Sequence, residues 1–330
     1  MRRREFIIFL GAAVSTGPRF VMAQQTEQVR RIGVLSGISE TDPETKARLA
    51  AFVGELGQRG WTEGRNLTIE YRFATGGTGA EIRKAAEELV AIRPDLILAI
   101  GSNALDYLFQ LTRTVPIVFT ITTDPVGSGY VESVSQPGGN VTGFMTFDYD
   151  LSGKWLELLK QISPNVTRAV VVRDPRIASG IGQFAVIQSV SRSIGIEVTP
   201  VDPHNRDDME RALAAFARRP NGGLIVTASP LAAIHREFIA ALANRYKLPA
   251  VYPERFFAAA GGLVSYGPDF VEQHRLAATY ADRILRGEKP ANLPVQAPNK
   301  YTLVINLKAA KSLGLALSPT QLARADEVIE

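Results

Sequence analysis

The 330-residue sequence contains no cysteine. That excludes disulfides, a thiol nucleophile, thiolate metal ligation and a lipid-modified cysteine anchor. Histidine is nearly as scarce, with only His204, His235 and His274. They fall on a loop and two helices without a partner at i, i+4, so neither a zinc site nor a metalloprotease motif can be assembled. His235 and His274 read as solvated helix positions. No GxSxG elbow and no Walker-type phosphate loop occurs, which removes the serine-hydrolase and nucleotide-hydrolysing signatures. Beyond residue 23 there is no apolar run of membrane length.

An excess of one charge is also missing, although the bulk numbers suggest otherwise. The chain carries 37 basic and 33 acidic residues. Four of the former (Arg2, Arg3, Arg4, Arg19) and one of the latter (Glu5) sit in residues 1–23, leaving 33 against 32 and a net charge of +1. No nucleic-acid or anionic-membrane partner is therefore expected. The first 23 residues read as a removable signal: Arg3-Arg4-Glu5-Phe6-Ile7 fits the twin-arginine pattern, a short apolar stretch follows, and Val21-Met22-Ala23 offers a cleavage site before Gln24. The alternative is a cytoplasmic chain with an amphipathic start. Under the first reading the mature chain is exported to the periplasm and, without cysteine, untethered.

What remains alternates between apolar strands with almost no charge and charged amphipathic helices, the pattern of buried parallel sheets. Strands are expected at Arg31–Ser36, Asn66–Phe73, Asp95–Ile100, Val115–Thr120 and Val141–Phe144. A helix runs from Asp42 to Arg59, with others at Ala80–Ile92, Asn103–Thr112 and Ser152–Ile162. The rhythm then restarts with strands Arg168–Arg173, Glu197–Val201, Gly223–Thr227, Ala250–Tyr252 and Gly262–Ser265. Helices Ile181–Ile194, Arg206–Arg218, Leu231–Tyr246 and Phe270–Arg286 accompany them. This implies an α/β protein of two doubly wound parallel-sheet lobes. The first lobe takes residues 28–145 plus about 268–297, and the second 146–267 plus about 298–330, with a proline-rich connection at Pro290–Pro298, a strand at Tyr301–Asn306 and a helix at Lys308–Leu313. Segments that return between lobes would act as a hinge.

In open parallel sheets ligands sit beyond the carboxyl ends of the strands, facing helix N-termini. That rule selects Ser36 after the first strand. It selects Gly101, Ser102 and Asn103 after the third, where a glycine admits a ligand to the backbone and the following helix favours a carboxylate; Ser102 is equally a helix cap. After the fourth strand come Thr122, Thr123 and Asp124, the last either a partner for a ligand ammonium or a turn former before Pro125. The second lobe offers Asp174, Thr227, Ser229, Tyr252, Glu254 and Tyr266, hydroxyls and aromatic walls suited to a small organic solute. The turn Ala74-Thr75-Gly76-Gly77-Thr78-Gly79-Ala80 imitates a dinucleotide fingerprint. It follows the second strand rather than the first, so a flexible polar loop is expected and no cofactor. A Rossmann-type oxidoreductase is the remote alternative.

Longer motifs carry a resemblance. They are Arg59-Gly60-Trp61-Thr62-Glu63-Gly64-Arg65-Asn66-Leu67, Thr123-Asp124-Pro125-Val126-Gly127, Pro137-Gly138-Gly139-Asn140-Val141-Thr142-Gly143, Lys154-Trp155-Leu156-Glu157-Leu158-Leu159-Lys160, Tyr266-Gly267-Pro268-Asp269 and Val304-Ile305-Asn306-Leu307-Lys308. In this order over nearly the whole chain, the sequence resembles the ABC-transporter substrate-binding family that includes tryptophan- and tyrosine-type receptors. The resemblance implies a type I periplasmic-binding fold, three crossing segments and no catalysis. It also implies a monomer that captures a small molecule and hands it to an inner-membrane permease driven by a separate ATPase. A sensor feeding a membrane signalling partner is the alternative. Gly101-Ser102, Thr123-Asp124 and Tyr266 with Asp269 inherit binding roles from it. Arg173-Asp174-Pro175-Arg176 departs from the serine-rich version of amino-acid receptors and admits an aromatic or aliphatic carboxylate, with Arg173 or Arg176 as counter-ion.

Overall fold

The computed structural model describes residues 29–75, 79–146, 149–203 and 205–330. The expected signal at 1–23, positions 76–78 of the glycine turn and His204 lie outside the described residues.

The first lobe is built from β1 (Arg30–Ser36), α1 (Pro43–Gln58), β2 (Leu67–Phe73), α2 (Gly79–Ala91), β3 (Leu96–Ile100), α3 (Ser102–Leu111), β4 (Ile117–Thr122) and β5 (Val141–Met145). Its five strands are all parallel in the order β2-β1-β3-β4-β5. Strand alternation divides the core. Ile32, Val34, Leu96 and Leu98 meet Phe52 and Leu56 of α1, while Leu35, Ile97 and Ala99 meet Ile82 and Leu89 of α2 and Leu105 and Leu108 of α3. Both faces of the central strands are apolar, which is why they read as nearly uncharged runs, whereas the edge strand β2 keeps Glu70 and Arg72.

The second lobe contains α4 (Leu151–Ile162), β6 (Arg168–Val172), α5 (Ala178–Ile194), β7 (Glu197–Val201), α6 (Arg206–Ala217), β8 (Gly222–Val226), α7 (Pro230–Ile234), α8 (Arg236–Arg245), β9 (Ala250–Tyr252), α9 (Arg255–Ala259) and β10 (Val264–Pro268). The chain then sends α10 (Phe270–Leu285) back to the first lobe, where Ala277, Ala278, Tyr280, Ala281, Ile284 and Leu285 are buried beside α1. It returns to the second sheet as β11 (Tyr301–Asn306), α11 (Leu307–Ser312), α12 (Pro319–Ala323) and β12 (Glu327–Ile329). That sheet runs β12-β11-β10-β9-β8-β6-β7, parallel except where β11 pairs antiparallel with β10. The polypeptide thus passes between lobes three times: after β5, at Asp269, and between Gln296, which still bonds Gly143 O, and Tyr301.

Several expectations are corrected. The helix expected over Leu231–Tyr246 is two helices, because His235 adopts φ −99°, ψ 18° between α7 and α8. β4 continues to Thr122 through a register shift at which Ile121 takes φ 55°. The short elements α9, α12 and β12 carry too few residues to show a period. His274 is not solvated: it is fully buried on α10, with Nδ1 2.7 Å from Phe270 O and Nε2 3.2 Å from Thr120 Oγ1.

Candidate ligand-binding cleft

The carboxyl ends of β1, β3, β4 and β5 face those of β6, β8 and β9 across a cavity of about 180 Å³. Gly101, at φ 91° and ψ 155°, takes an extended positive-φ conformation that favours glycine and leads directly from β3 into α3. The first-turn N–H groups of α3 have no intrahelical acceptor, and Ser102, Asn103 and Ala104 line the cavity. On the opposite wall α5 also starts at the cavity. A Cβ on Gly180 would lie 2.0 Å from Asp174 O, so only glycine lets α5 come this close to the exit of β6. Between these helix ends the walls are aliphatic, with Ile38, Ile82, Ile100 and Ile121 from the first lobe and Ile177, Leu231 and Ile234 from the second.

Of the expected binding residues, Ser36, Gly101, Ser102, Asn103, Thr123, Asp174 and Ser229 are brought together around the cavity, and Glu254 after β9 joins them. Ser36 Oγ accepts from Ile38 N at 3.1 Å and shapes the β1 exit, and Ser229 Oγ caps α7 by accepting from Ala232 N. Asp174 is 5% exposed and accepts from Arg176 N, Nε and Nη2 at 2.8–3.0 Å.

Six others do not line the cavity, each for a local reason. Thr122 alternates to the buried side of β4. Asp124 sits at φ 47° and accepts from Gly127 N at 2.8 Å, the turn-forming role. Thr227 donates to Val172 O within the sheet. Tyr252 is fully buried and stacked on Phe257 at 5.0 Å, and burial pushes its phenol far above the usual range. Tyr266 packs on Tyr301 in a separate groove. Asp269 caps α10 by accepting from Val271 N and Glu272 N. Arg173 is held bidentately by Asp202 outside the cavity, whereas Arg176 lies at its edge.

Three polar lining residues did not figure among the expected binding residues: Arg48 from α1, Thr146 after β5 and Ser179 in the first turn of α5. Arg48 Nη2 donates to Glu254 Oε2 at 3.2 Å, joining the lobes through a buried ion pair. Its guanidinium also lies over Phe270 at 5.0 Å. Burial pushes the Glu254 carboxyl up to about 7. Arg48 and Arg236 oppose that shift, and Glu44 adds to it. A second link runs from Arg236 Nη2 to Asp42 Oδ2 at 2.5 Å, and Ile38 packs into the second lobe's core.

Two parallel-sheet lobes meeting around an internal cavity define a solute-binding molecule of the type I periplasmic-binding fold. The chain belongs to the ABC transporter substrate binding protein family, whose model matches residues 31–329. These are binding proteins, not enzymes. A tyrosine-binding protein of Clostridioides difficile (strain R20291) is 25% identical over 296 residues, 88% of this chain and 82% of that protein. A conserved domain protein of Vibrio cholerae superposes with TM-score 0.84 at 29% identity, covering 91% of this chain and all of that one. An ABC domain from Streptococcus pneumonia in complex with L-Trp also superposes with TM-score 0.84, at 22% identity and 92% and 100% coverage.

Proposed function

We propose that this chain is the receptor of an ABC importer, exported to the periplasm and soluble there once residues 1–23 have been cleaved. There it captures a small organic acid or amino-acid-like solute by closure of its lobes about the three crossing segments, and delivers it as a monomer to a permease and its ATPase. The cavity carries this reading: helix N-termini of both lobes, α3 and α5, flank a space walled by isoleucine and leucine, which suits a carboxylate with an apolar body. Residues on both lobes line that space, so binding and closure are one event.

A thermal-shift screen of the chain from Gln24 onward, over amino acids, aromatic acids, aliphatic acids, dicarboxylates and polyols, tests it. A ligand at 100 times its Kd stabilises by about 2.7 kcal/mol, a rise in Tm that small-angle scattering should pair with a smaller radius of gyration. Silence across every class would refute the receptor reading.

A further inference from the structure

Two buried polar atoms of the cavity residues have no hydrogen-bond partner among the described residues: Arg48 Nε and Thr146 Oγ1. Arg48 is 4% exposed and Thr146 is 2% exposed, so bulk solvent barely reaches either side chain. An unmet buried donor costs more than a bond gains, and the great majority of such groups have partners. Two of them around one binding cavity indicate what a ligand supplies: an acceptor able to take bonds from a guanidinium N–H and a hydroxyl.

The other charges of the cavity are already committed. Asp174 takes three bonds from Arg176, and Glu254 takes Arg48 Nη2. Arg173 lies outside the cavity and is paired with Asp202. A ligand carboxylate therefore finds a buried unmet donor on Arg48, while a ligand ammonium finds no carboxylate without an arginine already on it. Resting on the receptor reading above, we infer that Arg48, with Thr146, anchors the ligand's carboxylate, and that the solute is an apolar-bodied monocarboxylate without an ammonium group.

Isothermal titration of the mature chain with isocaproate and hydrocinnamate, their amino counterparts leucine and phenylalanine, and isocaproamide tests this. At least one acid should bind, at least about tenfold more tightly than its amino counterpart, with the amide weaker than the acid. Arg48→Met alone would strand Glu254, so the double variant Arg48→Met/Glu254→Gln is used. It should fold and bind the acid at least about tenfold more weakly. Thr146→Val removes an unmet hydroxyl: affinity should fall about fivefold while the free protein's Tm holds or rises, a combination that a structural role would not produce.

The inference is overturned if the amide matches the acid, if leucine or phenylalanine binds better, or if the double variant binds normally. Binding of amino acids or polyols but of no acid would overturn it while leaving the receptor reading intact. No binding by any of these or by the wider panel would remove both.

Discussion

Glu254 and His274 are both buried, yet burial moves them in opposite directions. The carboxyl is raised to about 7 by desolvation, against Arg48 and Arg236 and with Glu44. The imidazole is lowered to about 3 by desolvation first and by Arg48 second, while its bond to Phe270 O resists. Between about pH 4.5 and 7 the folded Glu254 holds a proton that the unfolded chain releases, so its contribution is full below that window and is lost as pH rises through 7. Between about pH 3 and 6.5 the folded His274 lacks a proton that the unfolded chain binds, so its contribution is lost as pH falls. Each slope is at most about 1.4 kcal/mol per pH unit. Over their shared range they cancel. Glu254→Gln should therefore convert a nearly flat urea-melt profile between pH 4.5 and 6.5 into one that rises with pH. Parallel profiles for the two proteins would rule out a titrating Glu254.

Arg48 shows where reading a site from sequence stops. A lone arginine in a charged helix reads as solvated, and the residues selected by the strand-end rule all follow strands. The trace it left is positional: Thr45, Arg48, Phe52 and Leu56 are the buried residues of α1, so Arg48 occupies the inward stripe where an apolar side chain belongs. An arginine there must meet a buried partner, but the partner, Glu254, lies 206 residues away. By contrast Ser36, Gly101–Asn103, Thr123, Asp174 and Ser229 were legible, because the topology of parallel sheets alone sends strand exits to one edge.

At the scale of elements, α10 does more than complete the first lobe. Gln273 accepts from Ile121 N at 2.9 Å and donates from Nε2 to Met145 O at 2.9 Å, both buried or half-buried. One side chain from a crossing helix thus holds the exits of β4 and β5, and with them the left-handed Ile121, a conformation costing roughly 1–3 kcal/mol unless its surroundings impose it. Gln273→Leu keeps the bulk and loses both bonds. It should lower unfolding free energy by about 2–3 kcal/mol with an unchanged denaturant m-value, and a loss below about 0.5 kcal/mol would deny α10 this role.

The entry to α3 makes a separate test. A Cβ on Gly101 would meet nothing within 4 Å, so the cost of Gly101→Ala is torsional alone. With φ 91° and ψ 155°, a region essentially reserved for glycine, a decrease of about 1–3 kcal/mol is expected, seen as a lower denaturation midpoint. The alternation of elements was readable because strands buried on both faces carry almost no charge. The break at His235 was not, because its cause is a backbone angle within an unbroken amphipathic pattern.

Across the whole molecule, the lobes are joined at the cleft by side chains of unequal duty. Asp42 Oδ1 caps α1 through Glu44 N and Thr45 N, while Oδ2 accepts from Arg236 of the other lobe. Removing Asp42 would therefore confuse a local cap with an interlobe tie, whereas Arg236→Gln leaves the cap in place. Both partners are mostly buried, with side-chain exposures of 17% and 9%, so the tie is worth more than a surface pair, about 1–2 kcal/mol in favour of the lobe arrangement in which it forms. If binding requires closure, as proposed above, the apparent Kd is the intrinsic one divided by the closed fraction. Arg236→Gln should then weaken any ligand by roughly 5- to 30-fold where the open form dominates, and by less where the closed form remains populated. The weakening should appear with every ligand to the same factor, because this ion pair joins lobe to lobe and not protein to solute. Scattering on the ligand-free variant should show a larger radius of gyration than the parent. A ligand-dependent effect with unchanged dimensions would instead make Arg236 a binding residue for particular solutes and leave closure to the hinge segments alone.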